Sequence, residues 1–243
     1  MINNVKMRSK MLIIFVVTGL IPMLIIAGVA YMRADDILHD QIYKQMEEFA
    51  AFTEIQFDNY FDEKEIYGDV LSTLPVVENA LMVLQEEGTD SEAWQEAAPV
   101  LEDLMATNQQ RFLFGGLFLT DVNGTSVYAT EPFKASLEGA DLSSRDYIQA
   151  SSQGNQFWSQ LFYSDVIDDY TIVLSTPMRH PETGQVMGAV NALIPLPDIQ
   201  NMLQANVHMI GETGDAYLVD ATGLLITNTM LGEYSQNAAF QVT

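Results

Sequence analysis

The chain has no cysteine, so disulfide scaffolding, thiol nucleophiles and thiolate metal sites are all excluded. Its 3 histidines, His39, His180 and His208, are scattered and suggest no metal-ligand cluster. Basic residues are scarce: 10 stand against 33 acidic ones, for a formal net charge of -23. Lys6, Arg8, Lys10 and Arg33 precede residue 34, and every acidic residue follows it. So acidic a surface repels phosphate backbones, which need Lys and Arg to displace their counterions, and nucleic acid is not expected as a partner. The plain reading of the acidity is a solvating coat.

Enzyme motifs are also missing. There is no Gly-x-Ser-x-Gly elbow and no His-Glu-x-x-His helix, and Gly211-Glu-Thr-Gly214 lacks the Lys-Ser/Thr of a phosphate loop. Carboxylate pairs such as Asp168 with Asp169 read as solvated turns in a chain so rich in acids. The expectation is a non-catalytic chain without cofactor or metal.

What is present begins with Met11 to Met32, an uncharged apolar stretch. At about 1.5 Å per residue it is long enough to cross a bilayer's hydrocarbon core. Pro22 and Gly28 are tolerated in such a helix. The basic flank places the N-terminus on the cytoplasmic side and residues 34 to 243 outside. A cleaved signal peptide is the competing reading. The anchor is favoured because the run exceeds the roughly 7 to 15 apolar residues of a signal sequence, and because helical periodicity continues into Ile37, Leu38 and Ile42.

Apolar or aromatic residues at Leu38, Ile42, Met46, Phe49, Phe57, Tyr60, Tyr67, Leu71 and Leu74 predict one long helix from Asp35 to Leu74. One of its faces is expected against the rest of the domain or against a second copy of the chain. Pro75 ends or kinks it. A short helix over Val76 to Leu84, a polar loop over Gln85 to Asp90, and a helix from Glu92 to Asn108 capped by a Thr89/Glu92 box are expected next. Leu117 to Thr120 and Ser126 to Thr130 then flank Asp121-Val-Asn-Gly124, a hairpin whose Asn-Gly pair favours a tight turn. Ser143 and Ser144 are candidate caps of a short helix through Ala150, closed by Gly154. Phe157 to Tyr163, Thr171 to Met178 and Val186 to Ile194 read as three strands, and Leu196 to Ala205 as a helix. Together these predict an α+β fold, a five-stranded antiparallel sheet with helices packed on it.

Phe118-Leu-Thr-Asp-Val-Asn-Gly-Thr-Ser-Val-Tyr-Ala-Thr130 can be laid over Tyr217-Leu-Val-Asp-Ala-Thr-Gly-Leu-Leu-Ile-Thr-Asn-Thr229 at an offset of 99. A repeat at this spacing predicts two copies of one module. The second shows only its opening hairpin, so the sequence is expected to be the N-terminal piece of a longer protein.

The anchor and long helix are followed by Asp141-Leu-Ser-Ser-Arg-Asp-Tyr-Ile-Gln-Ala150 with Gly154, then Ile172-Val-Leu-Ser-Thr-Pro-Met178, Gly188-Ala-Val190 and Gly211-Glu-Thr-Gly-Asp-Ala-Tyr-Leu-Val-Asp220. In that order they resemble the extracytoplasmic double Cache sensor regions of bacterial transmembrane receptors, chiefly methyl-accepting chemotaxis proteins and some sensor kinases. The resemblance spans nearly the whole chain. It implies residues 1–10 in the cytoplasm, a span over 11–32 in the bacterial inner membrane, and a long helix over 33–75. A membrane-distal, PAS-like module over 76–205 would bind a small molecule, and a membrane-proximal module, begun in 206–243, would relay the event. It also implies homodimers paired through the long helix.

In the family an Arg-x-aromatic-aromatic segment lines the distal pocket. Arg145 and Tyr147 match it, and Ile148 replaces the second aromatic. The resemblance implies that Arg145 clamps a carboxylate, that Tyr147, Trp158 and Tyr163 supply walls, and that Ser159 and Asp165 reach ligand donors. Amino-acid-sensing relatives hold the ligand ammonium with an Asp on the last strand, where this chain has Leu193. A small carboxylate, and not a general α-amino acid, is the expected ligand. The alternatives are the sensor part of a histidine kinase or cyclic-nucleotide enzyme, and a membrane-tethered module that binds a protein through an exposed apolar patch.

Overall fold

A computed structural model describes residues 7–205, 207–211, 214–219 and 225–229. The N-terminal apolar stretch is helical throughout, as α1 (Met7–Phe15), a π-helical turn (Val16–Leu20) and the start of α2 (Ile21–Ser72). Pro22 cannot donate to the carbonyl of Thr18 and would clash with it, which accounts for a wider turn just before the proline. The large side chains of the stretch are exposed along its length. By length and composition it suffices to cross a membrane.

The predicted long helix is α2, and it stops at Thr73 because Leu74, placed before a proline, is forced to an extended backbone (ψ 124). Pro75 then opens α3 (Pro75–Glu87), where its missing N–H costs nothing. Helix α4 (Glu92–Arg111) runs past the expected end at Asn108. Its cap is also different. Ser91, not Thr89, accepts from the Trp94 amide at 3.1 Å, being the residue that immediately precedes the first turn.

Six antiparallel strands follow: β1 (Gly116–Asp121), β2 (Ser126–Ala129), β3 (Phe157–Trp158), β4 (Phe162–Ser164), β5 (Asp169–Arg179) and β6 (Val186–Pro195). They lie in the order β2-β1-β6-β5-β3, with β4 also paired to β5. The predicted antiparallel sheet is therefore present, with its first late strand split in two. At the break the Ser159 hydroxyl accepts the Val173 amide at 2.8 Å, standing in for a backbone carbonyl. In the β1–β2 turn only Gly124 of the Asn-Gly pair has positive φ (+86). Asp121 Oδ1 accepts the amides of Asn123 and Thr125, which favours an Asx turn over the expected tight one.

Each face of the sheet carries its own core. Helices α2, α3 and α4 cover Leu117, Leu119, Leu174, Met178, Val190 and Ile194. The other face presents Phe118, Val173 and Leu193 to the segment that holds α5 (Lys134–Leu137) and α6 (Asp146–Ser152). The short helix α6 starts at Arg145 and receives no side-chain cap from Ser143 or Ser144. Asp146 accepts the Tyr147 amide instead, at 2.7 Å. Its C-terminal end does close on Gly154 (φ +86), with Asn155 N–H to Ala150 O and Gly154 N–H to Ser151 O, a Schellman arrangement.

Helix α7 (Leu196–Gln204) continues from β6 into a 3-10 turn, Val207–Ile210. Beyond it Val219 pairs with Leu225. Both residues lie 99 positions after Thr120 and Ser126, which pair in the first hairpin. The turn of the repeated hairpin, residues 220–224, and everything after 229 lie outside the described residues.

Candidate functional site

The face beneath α6 gathers the polar and aromatic groups that could meet a small ligand. The backbone of Arg145 is extended (φ -74, ψ 138), so its side chain leaves the chain just where α6 begins. The guanidinium stands over the Phe162 ring, 5.0 Å from its centre. Two carboxylates near in sequence could have neutralised it, and both have other partners. Asp141 accepts from Ser143, which holds its carboxyl below the usual range, and Asp146 caps its own helix. Among the described residues Arg145 enters no ion pair, so a half-buried cation is left facing the β4 edge of the sheet.

Tyr147 is buried and stacks on Phe162 with ring centres 6.1 Å apart. Burial pushes its phenol up to about 12. Ile148, in the place of a second aromatic, packs in the same cluster with Phe118, Val173 and Leu193. Leu193 is buried there and offers nothing to a cation.

The other expected site residues are not brought to Arg145. Trp158 pairs with Leu174, whose side chain belongs to the core under the helices. Strand alternation sends the indole to that side, where it meets Phe61 edge-on at 4.9 Å and donates to Glu65 at 2.7 Å. Ser159 is buried, and its hydroxyl serves Val173 and the Gln160 carbonyl. Tyr163 alternates with Phe162 and is exposed at the β4–β5 turn, bonded to Asp168 and edge-on to Tyr170 at 5.2 Å. Asp165 is exposed on the same turn. Of the residues expected from sequence, Arg145 and Tyr147 are brought together beside Phe162, whereas Trp158, Ser159, Tyr163 and Asp165 are not.

The sequence reading passed over Thr120, Ser175 and Asn191, which share the sheet face with Phe118, Val173 and Leu193. All three are buried. The available signal was a polar residue two positions from a core residue on each of three strands.

A family model described as a Cache domain matches residues 34–241; the chain belongs to that family. Its fold is the one found in sensor domains of both histidine kinases and chemoreceptors. The sensor domain of the Vibrio cholerae histidine kinase DctB superposes with a TM-score of 0.64 at 10% identity, covering 85% of this chain and 70% of that one. The ligand-binding domain of the Campylobacter jejuni chemoreceptor Tlp3, in complex with 4-methylisoleucine, gives 0.56 at 15% identity, covering 79% and 70%. An extracellular ligand-binding receptor from Desulfohalobium retbaense gives 0.54 at 15% identity, covering 80% of this chain but 32% of that one. A comparison with curated protein sequences gives no match.

Proposed function

We propose that this chain is the extracytoplasmic sensor portion of a membrane-anchored bacterial receptor, with residues 76–205 as the membrane-distal ligand-binding module and residues from 206 onward beginning a proximal one. The ligand is a small carboxylate held by Arg145. The observation that carries this reading is the unpaired, half-buried Arg145 guanidinium above Phe162 and beside buried Tyr147. A planar fork of donors with no carboxylate partner among the described residues is suited to a ligand carboxylate. Leu193 argues against a general α-amino acid, since an ammonium buried against leucine would be left unpaired. The output the receptor drives is chemotaxis. A histidine-kinase or cyclase output would use the same sensing face, and a protein-binding module would use the exposed helix instead.

The test is calorimetry of the full chain in lipid nanodiscs against acetate, propionate, succinate and the L-amino acids. Binding of a carboxylate that Arg145→Ala weakens by about a hundredfold, the scale of a lost charge-assisted bond, is expected. Tight binding of several L-amino acids, indifferent to Arg145→Ala, would show both site and ligand class to be wrong. The proposal also includes N-terminus-in topology and homodimers formed along α2.

A further inference from the structure

Among the described residues β2 is the outermost strand on its side of the sheet, and side chains alone fill the flank between it and α4. The helix turns one row toward that flank: Trp94, Ala98, Glu102, Ala106 and Gln109, spaced as neighbours on a helix face. Ala98 and Ala106, on either side of Glu102, are too short to close it. Two recesses result, of about 300 and 140 Å³, and they share Glu102 and Tyr128 as walls. The larger is of the size at which small-molecule sites begin.

Tyr128 is the group the fold leaves unexplained. It is only 3% exposed, and among the described residues its hydroxyl has no hydrogen-bond partner. A buried phenol of this kind ordinarily finds one. Burial, and then the charges of Glu102 and Glu138, push it above its ordinary pKa, so both carboxylates act on it. Glu138 is itself held to the strand, accepting the Ala129 amide at 3.3 Å.

The chain supplies its own probe of this chemistry. Lys134 Nζ lies 3.5 Å from Glu102 Oε1 and 5.8 Å from the centre of the Tyr128 ring, so an alkylammonium already stands between carboxylate and aromatic ring. Among the described residues Lys134 pairs with Glu102 alone. Glu138 in the larger recess and Glu131 in the smaller one are left without a cation. These carboxylates are spread along the flank, and among the described residues no acidic or histidine cluster is tight enough to hold a metal ion. An extended organic cation suits them better.

We infer that this flank is a second ligand site, separate from the Arg145 face, and that it takes a small alkyl diamine. One ammonium sits over Tyr128 between Glu102 and Glu138, donating to the phenol oxygen while the phenol donates to a carboxylate. The alkyl chain runs past Ala106, and the other ammonium meets Glu131. Lys134, whose side chain is 33% exposed, swings outward to make room. The acidic surface draws such a cation in.

The experiment is calorimetry of the full chain in nanodiscs of zwitterionic lipid, with putrescine as the probe and n-butylamine, butanediol and magnesium ion as comparisons. Putrescine is expected to bind about tenfold or more tightly than n-butylamine, and Glu102→Gln and Tyr128→Phe should each weaken it by about tenfold, the scale of a lost hydrogen bond to a charged group. Tyr128→Phe removes a single oxygen and keeps the buried ring, which guards against misfolding. Lys134→Met, which removes the competing ammonium, should tighten binding. No binding by either the native chain or Lys134→Met overturns the inference, Lys134 then being the permanent occupant. It is equally overturned if putrescine binds no better than n-butylamine, if magnesium ion displaces it at similar concentration, or if neither Glu102→Gln nor Tyr128→Phe weakens it. Arg145→Ala should leave putrescine binding unchanged; loss of binding in that variant would move the diamine to the other face.

Discussion

Lys64 is the only basic side chain of α2 that is buried, and its surroundings explain how a charge is kept there. The ammonium donates to the carbonyls of Phe112 and Leu113, at the C-terminal end of α4 where the helix dipole is negative. It also lies 4.8 Å and 4.7 Å from the ring centres of Tyr60 and Phe114. Burial nevertheless pushes its pKa below the ordinary lysine value. Lys64→Met should destabilise the module by about 1–3 kcal/mol, because two carbonyls lose their donor, and thermal melts would read it. Phenols behave in the opposite sense. Tyr60 and Tyr147 are pushed by burial from 10.0 to about 12. Their folded forms therefore hold the proton after the unfolded chain has lost it. The stability they contribute is complete below pH 10 and is lost as pH rises from 10 toward 12. Melts taken across that window should fall more gently for Tyr147→Phe than for the native chain; identical slopes would remove Tyr147 as a cause. The sequence made Arg145 and Tyr147 legible as neighbours because both lie within one turn of the start of α6. It hid the orientation of Trp158 and Ser159, since one residue's difference in a strand exchanges faces and the split between β3 and β4 has no signature beyond an ordinary serine. Asn191 and Ser175 were illegible for another reason: alternation in a half-buried strand makes a polar residue look solvent-facing, and only the cover of α6 buries this face.

At the scale of elements, the junction between α2 and β5 depends on Gly68. A Cβ added there would meet Thr176 Oγ1 at 2.5 Å and Leu174 Cδ2 at 3.2 Å. Thr176 is fixed by Gln156, whose amide also reaches the Glu65 carbonyl at 3.2 Å and Asp69 at 3.2 Å, so neither side has room to yield. Gly68→Ala should lift α2 from the sheet and cost about 1–3 kcal/mol, the usual range for overpacking. Asp62→Ala, at an exposed position of the same helix, should fall within about 0.5 kcal/mol. Trp158 fluorescence provides a second readout, because its indole is held by Phe61 and Glu65 of the same helix. Equal melting of both variants would contradict the close approach. The periodic apolar residues made this helix readable from its first turn to Pro75, and the strands were readable from their alternation. Caps and turns were less so. Ser, Thr, Asp and Asn compete for the same backbone donors, and which one wins at Ser91, Asp121 or Asp146 is decided by the register in which the chain enters the element.

At the scale of the molecule, α2 shows two apolar stripes, and only one is covered by other described residues. Phe57, Tyr60, Phe61, Tyr67 and Leu71 pack into the core under the helices. Lower down, Phe49 and Thr53 are buried, and α2 contacts the Val207–Ile210 turn. Phe49 is thus covered within one chain, so the face it lies on packs on the chain's own domain. The second stripe is Phe52, Ile55, Asn59, Ile66 and Val70, at steps of 3, 4, 7 and 4 residues. Its four apolar members are 44%, 59%, 59% and 45% exposed. Phe52, Ile55, Asn59 and Ile66 keep the spacing of a left-handed two-helix seam, with Asp62 at the skipped position and Val70 beside the seam, and an Asn at one core position would fix its register. An apolar stripe of this kind on an otherwise strongly acidic surface is suited to a like stripe better than to water. In the proposed homodimer it is the contact between copies. With no native cysteine, single engineered thiols report cleanly. In membranes carrying the full chain, Ile55→Cys and Ile66→Cys should each yield disulfide-linked dimers on mild oxidation, while Phe49→Cys should stay monomeric on gels. Crosslinking at Phe49 with none at Ile55 would return the seam to the other face, and no dimer at any of the three positions would argue that α2 works unpaired.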